Sequence, residues 1–151
     1  MADVIRGFSD GSCYPNPGPG GWASVVTLQS GEKRIRTGGE LESTNNRMEI
    51  MGALGVLCEV HERSVFEVYS DSQYVVNAFN QGWIRKWKSE GKFGTSRLPN
   101  NDLWVPLVEQ ALYHTKVTWH WVRGHSGHQE NEEADKLACD ARVRWSRGER
   151  W

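Results

Sequence analysis

An α/β domain, with a mixed sheet and helices on its faces, is the architecture this sequence predicts. Three observations lead there. Three strand-like segments follow one another near the N-terminus, joined by short connections, as in an antiparallel meander. A helical period then leads into an alternating strand, as in a crossover to a parallel neighbour. Further helices, one more alternating strand and a terminal helix complete the order βββ-α-β-ααα-β-α.

The elements follow in turn. Val4 to Ser9 reads as a short apolar strand ending at Asp10-Gly11-Ser12, and Tyr14 to Gly21, rich in Pro and Gly, reads as a loop. Trp22 to Leu28 is strand-like, and Gln29-Ser30-Gly31-Glu32 supplies a hairpin turn into a third strand near Lys33 to Thr37. Met48, Met51, Leu54 and Cys58, with Ala53 and Leu57, follow helical spacing, with Ser43, Thr44 and Asn45 as N-cap candidates. Val65 to Ser70 alternates and ends at Asp71. Helices are expected over Gln73 to Asn80, Trp83 to Lys88 and Asp102 to Tyr113, with a loop from Gly91 to Asn101. Val117 to Val122 is the last strand, Gly124 to Gly127 a glycine-flanked loop, and Glu130 to Arg142 a helix with Ala134, Leu137, Ala138 and Ala141 on its apolar side.

The chain has 151 residues, enough for one domain that buries about two-thirds of its unfolded surface. Its formal net charge is −1 and its sequence pI about 6.5, which argues against a uniformly basic nucleic-acid grip. No apolar run approaches the roughly 18 residues that span a bilayer. The start, Met-Ala-Asp-Val-Ile-Arg, lacks the charged-then-apolar order of a signal peptide. Cys13, Cys58 and Cys139 are an odd, scattered set, so a reduced cytoplasmic chain without a disulfide framework is expected.

Two strands end alike, in Ser9-Asp10-Gly11-Ser12 and Ser70-Asp71-Ser72-Gln73. If the intervening helix is a crossover, both aspartates sit at the carboxyl ends of parallel neighbours, the edge where ligands bind in open α/β sheets. Glu49 in the crossover helix and Asp135 in the last helix can converge on the same place. Clustered carboxylates repel and raise one another's pKa. Hard divalent cations such as Mg²⁺ or Mn²⁺ relieve that repulsion. Two such ions about 3.5–4 Å apart clamp the attacking and leaving oxygens of a phosphodiester displacement. Any one of these carboxylates alone fits a turn or a solvated helix face better than a site; the paired strand ends with Glu49 favour a site. His125, in the loop Gly124-His-Ser-Gly-His128, can move protons beside it. His125, His128 and Cys139 match no four-ligand zinc pattern.

These segments, with Asn16-Pro-Gly-Pro-Gly-Gly-Trp22, Thr44-Asn-Asn-Arg-Met-Glu49, Asp102-Leu-Trp104 and Asn131-Glu-Glu-Ala-Asp135, resemble type 1 bacterial ribonuclease H, in order and over about residues 3–142. The resemblance implies a ribonuclease H-like five-stranded sheet, three antiparallel strands then two parallel, flanked by helices. It implies hydrolysis of the RNA strand of RNA–DNA hybrids, dependent on Mg²⁺ or Mn²⁺, with 5′-phosphate products. Carried over by position, Asp10, Glu49, Asp71 and Asp135 hold metal and His125 transfers protons. A DNA nuclease or strand-transfer core of the same fold, and a non-catalytic hybrid-binding module, are the rival readings. A membrane partner is not expected, and nothing demands more than a monomer.

Only RNA offers a 2′-hydroxyl to recognise. Cys13, Asn16, Asn45, Asn46 and Gln73 are short polar side chains on loops and helix starts beside the aspartates, the neighbourhood that the resemblance assigns to the hybrid's minor groove. Asn16 and the Asn pair equally suit turn and helix-start chemistry. Thr44 and Arg47 fit a phosphate contact, and Thr44 equally fits a helix cap. Between Trp83 and Arg97 lie Arg85, Lys86, Lys88, Lys92 and Arg97 against Glu90, a local balance of +4, interleaved with Trp83, Trp87 and Phe93. The resemblance makes this a basic handle on the DNA strand, although Trp83 and Trp87, four apart, share a helix face that fits the core, where at least one of them is expected. Residues 143–151, following a domain at 1–142, form a basic tail with Trp145 and Trp151, suited to extra phosphate contact or to folding back on the body.

Overall fold

The computed structural model describes residues 4–123 and 129–149. Strand β1 (Val4–Cys13) pairs antiparallel with β2 (Gly18–Thr27), which pairs antiparallel with β3 (Lys33–Ser43). After helix α1 (Asn45–Cys58) the chain crosses to β4 (Val65–Ser70), parallel to β1. Helices α2 (Gln73–Asn80), α3 (Trp83–Ser89) and α4 (Asn101–Tyr113) follow, then β5 (Lys116–Trp121), parallel to β4, and α5 (Gln129–Ser146). The sheet order is β3-β2-β1-β4-β5, so the expected five-stranded mixed sheet is the observed one.

Three boundaries differ from the expectation, each for a packing reason. β1 does not stop at Asp10; the Asp-Gly-Ser-Cys segment stays in the antiparallel ladder, pairing Asp10 with Ala23 and Cys13 with Gly20. The parallel ladder to β4 ends at Ser9 and Ser70. The Gly-Pro segment read as loop begins β2 at Gly18, and β3 runs on to Ser43. These glycines serve close approach rather than turning. A Cβ on Gly21 would overlap the backbone of Ala138, Ala141 and Arg142, so α5 lies directly on β2 there. Helix α5 also extends past Arg142 into the expected tail, and Trp145 lies against Gly39 of β3. Arg150 and Trp151 fall outside the described residues.

The main core lies between the sheet and α1, α2 and α4, with Phe66, Ile50, Val56, Leu57, Leu107 and Trp104 almost wholly buried. A smaller cluster of Phe8, Val25 and Ala134 seats α5 on the other face. Thr44 caps α1, its Oγ1 accepting the Arg47 N–H at 3.2 Å. Among the described residues no helix is long and apolar enough to cross a membrane.

Candidate active site

Asp10, Glu49 and Asp71 each offer a carboxylate oxygen, and these three oxygens lie within 4.8 Å of one another. Three elements bring them together. Asp10 lies just beyond the parallel ladder of β1, Asp71 directly follows β4, and Glu49 sits in the first turns of α1. Helix α1 reaches this edge because Gly11 has no side chain; a Cβ there would overlap the backbone of Met48 and Glu49. Asp10 is 2% exposed and Glu49 9%.

The electrostatics of this trio are costly without a cation. Burial first, and then the nearby charge of Asp71, push the Asp10 carboxyl up to about 8. The Gly11 N–H donates to Asp10 Oδ1 at 2.8 Å and opposes that rise only in part. Glu49 is held well above the usual carboxylate range by burial first, then by Asp10 and Asp71. Its Oε2 is buried with no hydrogen-bond partner. Asp135, half-buried on α5, faces Asp10 closely enough to raise its pKa too. An all-oxygen donor set, one orphaned buried oxygen and mutual like-charge repulsion fit a hard divalent cation of the Mg²⁺ class.

The other expected site residues separate into groups. His125 lies outside the described residues. Cys13 is corrected: its side chain is buried, with Sγ donating to the carbonyls of Pro15 and Gly18 at 3.3 Å, so its thiol does not face a substrate. Its N–H donates to Asn45 Oδ1 at 2.7 Å, and the Asn45 N–H donates to Asn16 Oδ1 at 3.2 Å. Asn16 and Asn45 thus stitch the β1–β2 connection to the start of α1 while remaining exposed. Asn46 and Gln73 are exposed in the first turns of α1 and α2. Thr44 is occupied as the α1 cap.

The handle is corrected in its aromatic part. Trp83 and Trp87 are half-buried and pack on the main core, with the Trp87 ring centroid 5.3 Å from that of Trp104, so their faces are not free platforms for bases. A shared helix face at spacing four is the reason. Arg85, Lys86 and Lys88 remain at least partly exposed on α3, Lys88 with its ammonium 5.2 Å from the Phe93 ring centroid.

One cluster was not expected from the sequence. Arg47 donates to both carboxylate oxygens of Asp102, at 3.0 and 2.9 Å, and to both of Glu40, at 3.1 and 3.3 Å. It joins β3, α1 and the start of α4. With two carboxylates on it, Arg47 is compensated within the protein rather than waiting for a phosphate. The Arg-x-Glu and Asp-Leu-Trp segments are visible in the sequence, but their pairing over fifty-five positions is not.

The family model for RNase H matches residues 3–142. The chain is 48% identical over 136 residues to the Ribonuclease H of Erythrobacter litoralis, covering 89% of this chain and 92% of that one. It is 46% identical over 136 residues to the Ribonuclease HI of Brucella melitensis, covering 89% and 86%. Among solved structures, LC9-RNase H1, described as a type 1 RNase H with the type 2 active-site motif, superposes with a TM-score of 0.81 at 27% identity, over 95% of this chain and 74% of that one.

Proposed function

The chain belongs to the RNase H family, in its bacterial type 1 branch, and on that premise we propose that Asp10, Glu49, Asp71 and Asp135 form the centre with which it hydrolyses the RNA strand of RNA–DNA hybrids. The observation that carries this reading is the convergence of three carboxylate oxygens within 4.8 Å, with the inner oxygen of Glu49 left without a hydrogen-bond donor. Such a group is expensive to bury unless a cation completes it.

Asp10, Glu49, Asp71 and Asp135 would hold two divalent ions, Mg²⁺ with Mn²⁺ as a substitute. When bound, these ions activate a water nucleophile and balance charge on the scissile phosphate. In the overall reaction water adds to phosphorus and the P–O3′ bond breaks, leaving a 5′-phosphate and a 3′-hydroxyl. The protein's part is placement. Asp10 and Asp71 are fixed by two strand ends and Glu49 by a capped helix, so the site is set before substrate arrives. His125 is assigned the proton transfer by its place in the motif.

The exposed amides of Asn16, Asn45, Asn46 and Gln73 support recognition of 2′-hydroxyls. Arg85, Lys86 and Lys88 supply cations for the DNA backbone. Cys13, Cys58 and Cys139 are all free thiols, which supports a reducing, cytoplasmic setting, and the reading is that of a monomer.

The test is cleavage of matched RNA–DNA, RNA–RNA and DNA–DNA duplexes with and without Mg²⁺. The reading predicts metal-dependent cutting of the RNA strand in the hybrid alone. Cutting of DNA–DNA would instead assign the fold to a DNA nuclease.

A further inference from the structure

Trp121 ends β5 at the same sheet edge as the carboxylates, paired in register with Ser70. Two residues back on the same side of the strand, Trp119 is 6% exposed and stacks on Phe79 at 4.2 Å. Trp121 does not share that fate. It is 43% exposed, and its indole N–H donates to the main-chain carbonyl of Asp71 at 3.1 Å.

That bond falls where the backbone most needs an anchor. The β4–β5 ladder stops at Ser70, whose carbonyl accepts the Val122 N–H at 2.9 Å. On the far side of Asp71, the Ser72 N–H donates to Ser70 Oγ at 3.1 Å, and Ser72 Oγ caps α2 through the Val75 N–H at 3.2 Å. Asp71 is the one residue between the end of the strand and the cap of the helix. The indole therefore fixes its carbonyl from a neighbouring strand and, with it, the direction in which its carboxylate leaves the chain.

We propose that Trp121 is a positioning residue for Asp71, holding its peptide so that the carboxylate meets those of Asp10 and Glu49. The inference rests on the reading of Asp71 as a metal ligand. An outer partner that orients a ligand typically changes metal affinity or turnover by roughly tenfold or more.

Trp121→Phe keeps an aromatic ring and removes the N–H. The expected result is kcat on a hybrid lowered about tenfold, and Mn²⁺ binding by the substrate-free protein weakened about tenfold in titration calorimetry. KM should stay within about twofold. Tm should stay within roughly 3 °C. Asp71→Asn is measured beside it. If Asp71→Asn loses cleavage and Mn²⁺ binding while Trp121→Phe matches the wild type in both, the positioning role is overturned and the reading of the site stands. A Trp121→Phe defect confined to KM, or matched by a fall in Tm, overturns it equally. Wild-type cleavage by Asp71→Asn would remove the reading of Asp71 and this inference together.

Discussion

The carboxylates of Asp10 and Glu49 meet across the backbone of Gly11, where strand β1 and helix α1 approach so closely that a single methyl group would not fit. The trio depends on that close approach. Gly11→Ala is expected to push α1 away from β1 at a cost of about 1–3 kcal/mol, read as a lower Tm. Cleavage should fall further than stability accounts for, because Glu49 moves out of reach of Asp10 and Asp71.

Repulsion within the site gives a pH dependence with a definite sign. The folded pKa of Asp10 is raised from 3.8 to about 8, so its stability contribution is complete below the unfolded value and is lost as pH rises through about 8. Metal-free protein should therefore become less stable as pH rises from about 4 to about 8, the interval between the unfolded and folded pKa of Asp10. Asp10→Asn should flatten that slope and raise stability at about pH 9 by about 1–3 kcal/mol without metal, read by denaturant unfolding with a chelator. Saturating Mg²⁺ should stabilise the wild type more than the variant.

Arg47 separates a structural clamp from a substrate ligand. Its bonds to Asp102 and Glu40 predict that Arg47→Ala costs about 1–3 kcal/mol. A double-mutant cycle with Asp102→Asn should show coupling of about 0.5–1.5 kcal/mol, modest because Asp102 is largely exposed. Arg47 also holds the Asp102 carboxyl below its ordinary range. The contribution from Asp102 is therefore present above its unfolded pKa and fades as pH falls through the folded one. The salt dependence of hybrid binding should not change in Arg47→Ala.

The handle divides in the opposite way. Trp87→Ala is expected to cost about 2–4 kcal/mol because its ring no longer packs on Trp104, with little change in the salt slope of binding. Alanine at Arg85, Lys86 and Lys88 together should leave Tm nearly unchanged and lower that slope by about one for each phosphate no longer neutralised.

These contrasts show what was legible in the sequence. The order of the elements could be read from hydrophobic period, and Asp10 and Asp71 from two similar strand ends, because both signals are local. The reach of β1 to Cys13 and of β2 back to Gly18 could not, because glycines that normally signal turns, Gly11 and Gly21, here make room for α1 and α5. Cys13 lies in the right segment with its thiol turned in onto the carbonyls of Pro15 and Gly18, whereas the inward face of Trp83 and Trp87 is the one their spacing of four already marked as fitting the core. The role of Trp121 is hidden: alternation marks it as strand, and nothing local shows that its N–H meets Asp71.

The small net charge of −1 is compatible with this division of labour. Acidic groups concentrate at the carboxylate centre and basic ones on α3 and the end of α5, so binding should depend on metal and weaken with salt.

The most direct test of the account is the behaviour of Glu49→Gln on an RNA–DNA hybrid labelled at the RNA 5′ end, across a Mg²⁺ series. Glu49 supplies the buried oxygen that lacks a hydrogen-bond partner, and glutamine matches its shape. The account predicts that the variant binds the hybrid with a Kd within about threefold of wild type and cuts no RNA at any Mg²⁺ concentration. Mg²⁺-dependent cleavage at the wild-type rate would contradict it.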